Sequence, residues 1–420
     1  MGEHSDLRFH HLHPSIPVLP RIDTVASFDS LLRLLPGAGV LSTAHPGMRI
    51  TIAFTDSTRH SPDHLMVGWL LHRLHSRGVD DSNVTLLCAT GLHRPMTYQE
   101  RVAKLGRDLV ERLTIIDHDA VGSDRLVHVG EVDGIPVVVN RACVECDLLL
   151  ATGVVEPHQY AGYSGGAKTI VIGCGGEEVI AGTHSVSMID REGVTIGSIA
   201  ANPFQAFLRR AGELIGIDAI VNVVLDGAGG ILDGAAGNPI RVHDDLIARA
   251  RATREVTVDR PMNMAVIGVP QGKGANIYQA SRAATYAALA ERSPLIDGAP
   301  IILLADVPEG VGSGLGEKRF GELLAGEESL DVLLNRFRHD GFPAGGQRAY
   351  IVARVLRDHP IIIVGRGDPD AIRSCRMIPA ARLKEGVDIG VKLIRDAGAS
   401  DTIEVMVLSN GMVIASMAGC

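Results

Sequence analysis

Cysteine is scarce. Six residues scattered over 420 cannot form the dense framework of a disulfide-stapled fold. Cys143-Val-Glu-Cys146 has the spacing of a redox pair or half a zinc site, but no second pair stands near it to complete four ligands. Incidental core cysteines are therefore expected. Aromatic residues reach only 4%, with a single Trp, which disfavours a β-sandwich. No stretch approaches the ~18 consecutive apolar residues of a spanning helix. The opening Met1-Gly-Glu-His-Ser-Asp-Leu-Arg8 lacks the apolar core of a secretory signal. A cytoplasmic protein without a membrane partner is the expectation. Positive charge is also not in excess: the net charge is −9, so no nucleic-acid partner is expected, because phosphate binding needs a concentrated basic face.

What is present is glycine, 48 residues, within a chain that is 46% hydrophobic. That composition suits an α/β enzyme with many tight strand-to-helix turns. Met48–Phe54 reads as a strand, followed by Thr55-Asp-Ser-Thr-Arg59 and a helix with Ser61 as cap, Pro62 in the first turn and Asp63 at the positive end of the dipole. Leu65, Met66, Trp69, Leu70 and Leu74 recur at helical spacing, which predicts a buried stripe. Asn83–Thr90 is the next strand. Beyond Gly91-Leu-His93-Arg94-Pro95, Thr97 and Glu100 form a capping box. Arg59 and His93 thus both follow the carboxyl end of a strand, the edge at which open α/β sheets bind ligands.

Residues 1–47, with His4, His10, His11 and His13, read as a surface arm. Glu177–His184 and Val242–Thr257 read as helices. The Asp259-Arg-Pro261 junction marks a boundary, after which Met264–Pro270 opens a second strand–helix series whose helix carries Tyr278, Gln279 and Arg282 near its start. Continuous apolar runs at Ile301–Ala305 and Ile361–Gly365 suit parallel strands covered on both faces. The predicted architecture is α/β: two Rossmann-like domains with mostly parallel sheets and the active site in the cleft between them. Residues 1–259 form the first domain, 260–400 the second, and 401–420 a terminal strand segment that returns to the first.

Chemistry concentrates in Pro157-His-Gln-Tyr-Ala-Gly-Tyr-Ser-Gly-Gly-Ala-Lys168-Thr. His158 and Lys168 bracket a loop in which Gly165 and Gly166 let backbone approach a ligand, and His184 lies beyond. The loop misses the phosphate-loop pattern by one residue, Ala167, and does not hang directly off the strand Leu148–Val155. An ATP-dependent enzyme stays open as an alternative. Two histidines on separate loops can serve as acid and base with pKa values near working pH, an arginine fork suits a substrate carboxylate, and a lysine with a third histidine suits a cofactor or metal. Two bases are what a racemase needs. The α-hydrogen of a 2-hydroxy acid is poorly acidic, however, so such an enzyme also needs an electron sink.

Asp56-Ser-Thr-Arg59, Gly91-Leu-His-Arg-Pro-Met-Thr97, Glu156-Pro-His-Gln-Tyr-Ala-Gly-Tyr-Ser-Gly-Gly-Ala-Lys168, His184-Ser and Tyr278-Gln279 together resemble the lactate racemase family. The resemblance implies a nickel-pincer nucleotide cofactor and hydride transfer from Cα through a 2-keto acid. It implies that Lys168 holds the cofactor with Asp56 beside it, that His184 ligates nickel, and that His93 and His158 are the acid/base pair. Arg59 would grip the carboxylate, with Tyr278, Gln279 and Arg282 also contacting substrate. Pincer-biosynthesis enzymes would be maturation partners, and a homodimer is expected. Departures from the family pattern stand at His60, Ala167, Thr169 and Val171-Ile-Gly-Cys174, so the cofactor is covalent to Lys168 or held without that bond. Arg282 replaces the lactate enzyme's lysine, and its fork suits a second carboxylate, as in malate; lactate, other 2-hydroxy acids and sugar acids are the alternatives. A non-catalytic 2-hydroxyacid-binding protein is the third reading.

Overall fold

The computed structural model describes residues 6–17, 19–343, 345–398 and 402–418. The chain forms two compact units: Ile16–His184 with Ile199–Thr253, and Met1–Ser15 with Ser185–Ser198 and Arg254–Cys420. This differs from the expected division. The strand Leu7–Leu12 and the strand Ile403–Leu408 lie in the second unit, where they pair in parallel with each other. His10 contacts Glu404, so residues 7–12 are an edge strand and not a loose arm; His4 falls outside the described residues. The terminal strand does not return to the first unit: Ile403–Leu408 pairs with Met264–Gly268 on its other side.

In the first unit a seven-stranded sheet runs in the order Arg33–Leu34, Ile231–Gly237, Ala219–Leu225, Leu148–Val154, Ile50–Thr55, Val84–Ala89, Thr114–Asp117. All neighbours are parallel except Ile231–Gly237 against Ala219–Leu225. Ile50, Ile52 and Phe54 pack with Leu86 and Leu150 against Leu65, Met66, Trp69, Leu70 and Leu74 of the helix Asp63–His75. Each such side chain contributes about 1.5–3 kcal/mol by leaving water. Trp69 is core, as its spacing predicts, and its indole N–H donates to Asp29 at 2.6 Å.

The start of that helix departs from expectation. Ser61 makes no cap, and its hydroxyl is buried without a partner among the described residues. Asp63 opens the helix as expected, at the positive end of its dipole, and is fully buried there. It pairs with Lys104 at 2.9 Å and accepts from the hydroxyls of Thr55 and Thr152. The capping box at Thr97 and Glu100 is present as predicted.

The second unit holds a six-stranded, fully parallel sheet in the order Leu7–Leu12, Ile403–Leu408, Met264–Gly268, Ile301–Leu304, Ile361–Val364, Ile378–Ala380. Its inner strands are the apolar runs seen in the sequence, and Val387, Val391 and Ile394 of the helix Leu383–Asp396 cover Ile302, Ile362 and Val364. The helices Ile277–Ala288 and Gln347–Asp358 pack on each other. The helix expected over Val242–Thr257 spans Pro239–Arg254 and gives way to the short strand Glu255–Val258.

Candidate active site

Eight of the singled-out residues fall in the first unit: Asp56, Arg59 and His93 on loops that directly follow parallel strands, and His158, Gly165, Gly166, Lys168 and His184 on the segment after Leu148–Val154. Asp56 comes directly after Ile50–Thr55 and is buried. One carboxylate oxygen accepts from the Thr58 hydroxyl at 2.7 Å, and the other meets His93 Nδ1 at 2.7 Å. Burial pushes the Asp56 carboxyl up, but the hydrogen bonds from His93 and Thr58 outweigh it and hold it below the usual carboxylate range. His93 follows Val84–Ala89, and half of its side chain is exposed. Because Asp56 is an acceptor, Nδ1 carries the proton and Nε2 keeps its lone pair. The orienter of a histidine base is what Asp56 provides here.

Arg59 is exposed. Its loop is fixed through the main chain: Arg59 N–H donates to Asp56 O, and Lys104 Nζ donates to Arg59 O at 2.6 Å.

His158 lies in the short hairpin Pro157–His158/Gly162–Tyr163. Its Nδ1 accepts the backbone N–H groups of Tyr160 and Ala161 at 3.3 and 3.2 Å. A neutral His158 therefore carries its proton on Nε2, the opposite arrangement to His93. The Tyr160 ring stands edge-on to both His158 and His184, and His184 is edge-on to Phe204. One aromatic row thus spaces two of the three histidines.

His184 closes the helix Glu177–Thr183. Its Nδ1 donates to Ile180 O at 3.1 Å. Burial, reinforced by the nearby Lys168 charge, pushes it down to about 4. It is neutral at physiological pH, with Nε2 bearing the lone pair that a metal ligand requires.

Lys168 begins the four-residue helix Lys168–Val171. The loop before it is strapped to the protein at several points. Ser164 Oγ donates to Val154 O, Gly166 N–H donates to Asn222 Oδ1 at 2.8 Å, and His243 Nε2–H donates to Ser164 O at 2.9 Å. Gly165 and Gly166 have φ of +87° and +59°. A Cβ at Gly165 would lie 2.7 Å from Asn222 Oδ1, and one at Gly166 would lie 3.1 Å from the His243 ring. These glycines are thus required by close packing of the loop on its own protein. Gly91 N–H donates to Gly173 O, which ties the His93 loop to the segment after Lys168. The geometry is not that of a phosphate loop: a hairpin separates the strand Leu148–Val154 from Gly162, and the following helix is a single turn.

Asn222, His243, Lys104 and Tyr160 were not singled out from the sequence. Asn222 had a visible signal, as the one polar residue within Ala219–Leu225, Ala-Ile-Val-Asn-Val-Val-Leu. The Cys143–Cys146 pair is structural: Cys143 is buried, and Cys146 Sγ contacts Cys143 O. Among the described residues no group of three His, Cys, Asp or Glu could hold a metal.

Tyr278, Gln279 and Arg282 lie in the second unit, in the first turns of the helix Ile277–Ala288, with Asn276 capping the Gln279 N–H. Tyr278 packs edge-on against Phe320.

Residues 14–197 match the family model for the lactate racemase N-terminal domain, and residues 267–415 match that for the lactate racemase C-terminal domain. The chain is 30% identical over 353 residues to the lactate racemase of Thermoanaerobacterium thermosaccharolyticum, covering 83% of this chain and 80% of that one. It is 30% identical over 344 residues to the lactate racemase of Lactiplantibacillus plantarum, covering 81% and 79%. The structure of the lactate racemase apoprotein from T. thermosaccharolyticum superposes with a TM-score of 0.78 at 26% identity, over 96% of this chain and 97% of that one.

Proposed function

Because the chain belongs to the lactate racemase family and is an isomerase, we propose that it inverts the Cα configuration of a 2-hydroxy acid, a dicarboxylate such as malate, by hydride transfer through a 2-keto acid. The observation that carries this reading is the opposed state of two histidines on one unit. Asp56 holds His93 with Nε2 bare, while backbone N–H groups hold His158 with Nε2 protonated. An acid and a base are thereby prepared in the resting protein.

The donor set suits a nickel-pincer nucleotide. His184 Nε2, on a neutral ring with its lone pair available, offers an imidazole donor to a metal that such a nucleotide would bring with it. Lys168, near enough to depress His184, is the residue to hold the nucleotide, covalently or by charge. When bound, such a group supplies the acceptor and donor for the hydride, chemistry that no side chain here can provide.

The protein's own part is binding and proton handling. Arg59 presents a planar fork to the C1 carboxylate. His93 Nε2 takes the hydroxyl proton, and Asp56 stabilises the imidazolium that results. Arg282, where the lactate enzyme has lysine, binds the second carboxylate bidentately. For the opposite enantiomer the histidines exchange roles: the His158 proton must move from Nε2 to Nδ1, breaking the two backbone N–H bonds that Nδ1 accepts, before Nε2 can take a proton. The two directions therefore differ in kcat and in KM, while kcat/KM stays equal because enantiomers interconvert with an equilibrium constant of unity.

The test uses protein co-produced with pincer-synthesis enzymes. Single enantiomers of malate, lactate and larger 2-hydroxy acids, deuterated at Cα, are followed by chiral chromatography and mass spectrometry. Inversion of malate with deuterium retained supports the reading. Loss of deuterium to solvent rejects hydride transfer, inversion of another acid alone rejects the dicarboxylate, and no inversion by cofactor-loaded protein leaves a binding protein.

A further inference from the structure

Arg348 is a buried cation with no counterion among the described residues. It is the second residue of the helix Gln347–Asp358 and is only 6% exposed. Its guanidinium lies over the Tyr278 ring at 5.5 Å. Its Nε and Nη1 are buried and make no hydrogen bond among the described residues, and no carboxylate of those residues pairs with it. The helix it begins has Gly346 as N-cap and no side-chain cap.

Buried charges are normally paired, because removing an ion from water costs several kcal/mol that only a partner offsets. An arginine stacked on an aromatic ring, with unmet N–H groups on two different edges of its guanidinium, has donors left for the oxygens of an anion. Gln279, the next residue after Tyr278, also has a buried Oε1 with no partner among the described residues, an acceptor suited to a hydroxyl. The unmet donors of Arg348 lie over Tyr278, and the unmet acceptor of Gln279 is on the same helix as that ring.

We infer that Arg348, stacked on Tyr278, is a carboxylate-binding residue that holds the second carboxylate of a 2-hydroxy dicarboxylate together with Arg282. This rests on the dicarboxylate reading above and extends it: the preference for a diacid belongs to two guanidinium groups and not to Arg282 alone.

The experiment is titration calorimetry on the full chain with one enantiomer of malate and the matching enantiomer of lactate. The wild-type protein, Arg348→Met, Arg348→Lys and Arg282→Lys are compared, with thermal melting as the check on folding. Malate is expected to bind roughly 10- to 100-fold more tightly than lactate, the size of a bidentate charge-assisted contact. Arg348→Met should abolish the preference with lactate affinity changed less than about threefold, and Arg348→Lys should keep part of it. A wild-type protein that does not prefer malate overturns the inference, and this arm needs no variant to fold. A preference that survives Arg348→Met, or that vanishes only in Arg282→Lys, also overturns it. A preference lost in Arg348→Met in a protein that inverts neither acid supports the carboxylate site while removing the racemase reading.

Discussion

Lys104 donates to the backbone carbonyl of Arg59 at 2.6 Å while its charge is spent on Asp63. Arg59, proposed above to grip the substrate carboxylate, is therefore positioned through its main chain by a buried ion pair whose members are 8% and 0% exposed. Removing one member leaves the other charged and uncompensated in the core. Lys104→Met should destabilise the protein by about 3–5 kcal/mol, read by denaturant unfolding. Where folded protein is recovered, KM for the 2-hydroxy acid should rise because the Arg59 loop has lost its anchor. An unchanged KM would show that Arg59 is held by other means.

Asp56→Asn tests the assignment of His93. The amide would present an N–H to His93 Nδ1, drive the proton to Nε2 and remove the base while keeping the shape of the site. The expected loss is about 10²- to 10⁴-fold in kcat, with melting temperature little changed. Asp56→Glu, which keeps the charge, should recover part of the rate.

His243 sets a pH limit on stability. Burial, with the nearby Arg209 charge, pushes it down to about 4, against about 6.5 for an unfolded histidine. Its folded pKa is depressed, so the unfolded chain binds the proton first. The stabilisation is fully present above pH 6.5 and is lost as the pH falls from there to about 4, a change on the order of 3 kcal/mol. Denaturant midpoints measured across that window should fall with pH, and His243→Gln should flatten the part due to this ring.

Gly165 carries a loop with no room for a side chain. Gly165→Ala must force a Cβ against Asn222 Oδ1 and Val155 at a φ of +87°, costing about 1–3 kcal/mol. Asn222→Ala, which leaves the Gly166 N–H unmet, should cost a similar ~1–3 kcal/mol. Both should reduce nickel retained per chain after co-production, measured by elemental analysis, because both displace the loop that presents Lys168.

Local signals carried most of the fold. The apolar runs Ile301–Leu304 and Ile361–Val364 are buried parallel strands, and the Thr97–Glu100 box caps its helix, because strand burial and capping depend on residues close in sequence. The place of Asp63 at the start of its helix is legible locally, but its burial is not, since its partner, Lys104, sits on a later helix. Residues 1–47 read as an arm because the strand that pairs with Leu7–Leu12, Ile403–Leu408, lies far away in the sequence. Within the site, ligand-type residues beside strand ends were visible, whereas their supports were not. His243 and Tyr160 gain their meaning only from what the loop touches once folded.

The pairing of Leu7–Leu12 with Ile403–Leu408 has a consequence for biosynthesis. A chain emerging from the ribosome completes Ile16–His184 and Ile199–Thr253 long before residue 403 exists, and that unit can fold as it emerges. Leu7–Leu12 must wait as an unpaired edge, half-exposed Phe9 included, until residues 403–408 have been made. Closure of so long a loop is slow, and during the delay the strand is a template for neighbouring chains. The vulnerable period of this protein lies in its synthesis, at a strand remote in sequence from every residue of its chemistry.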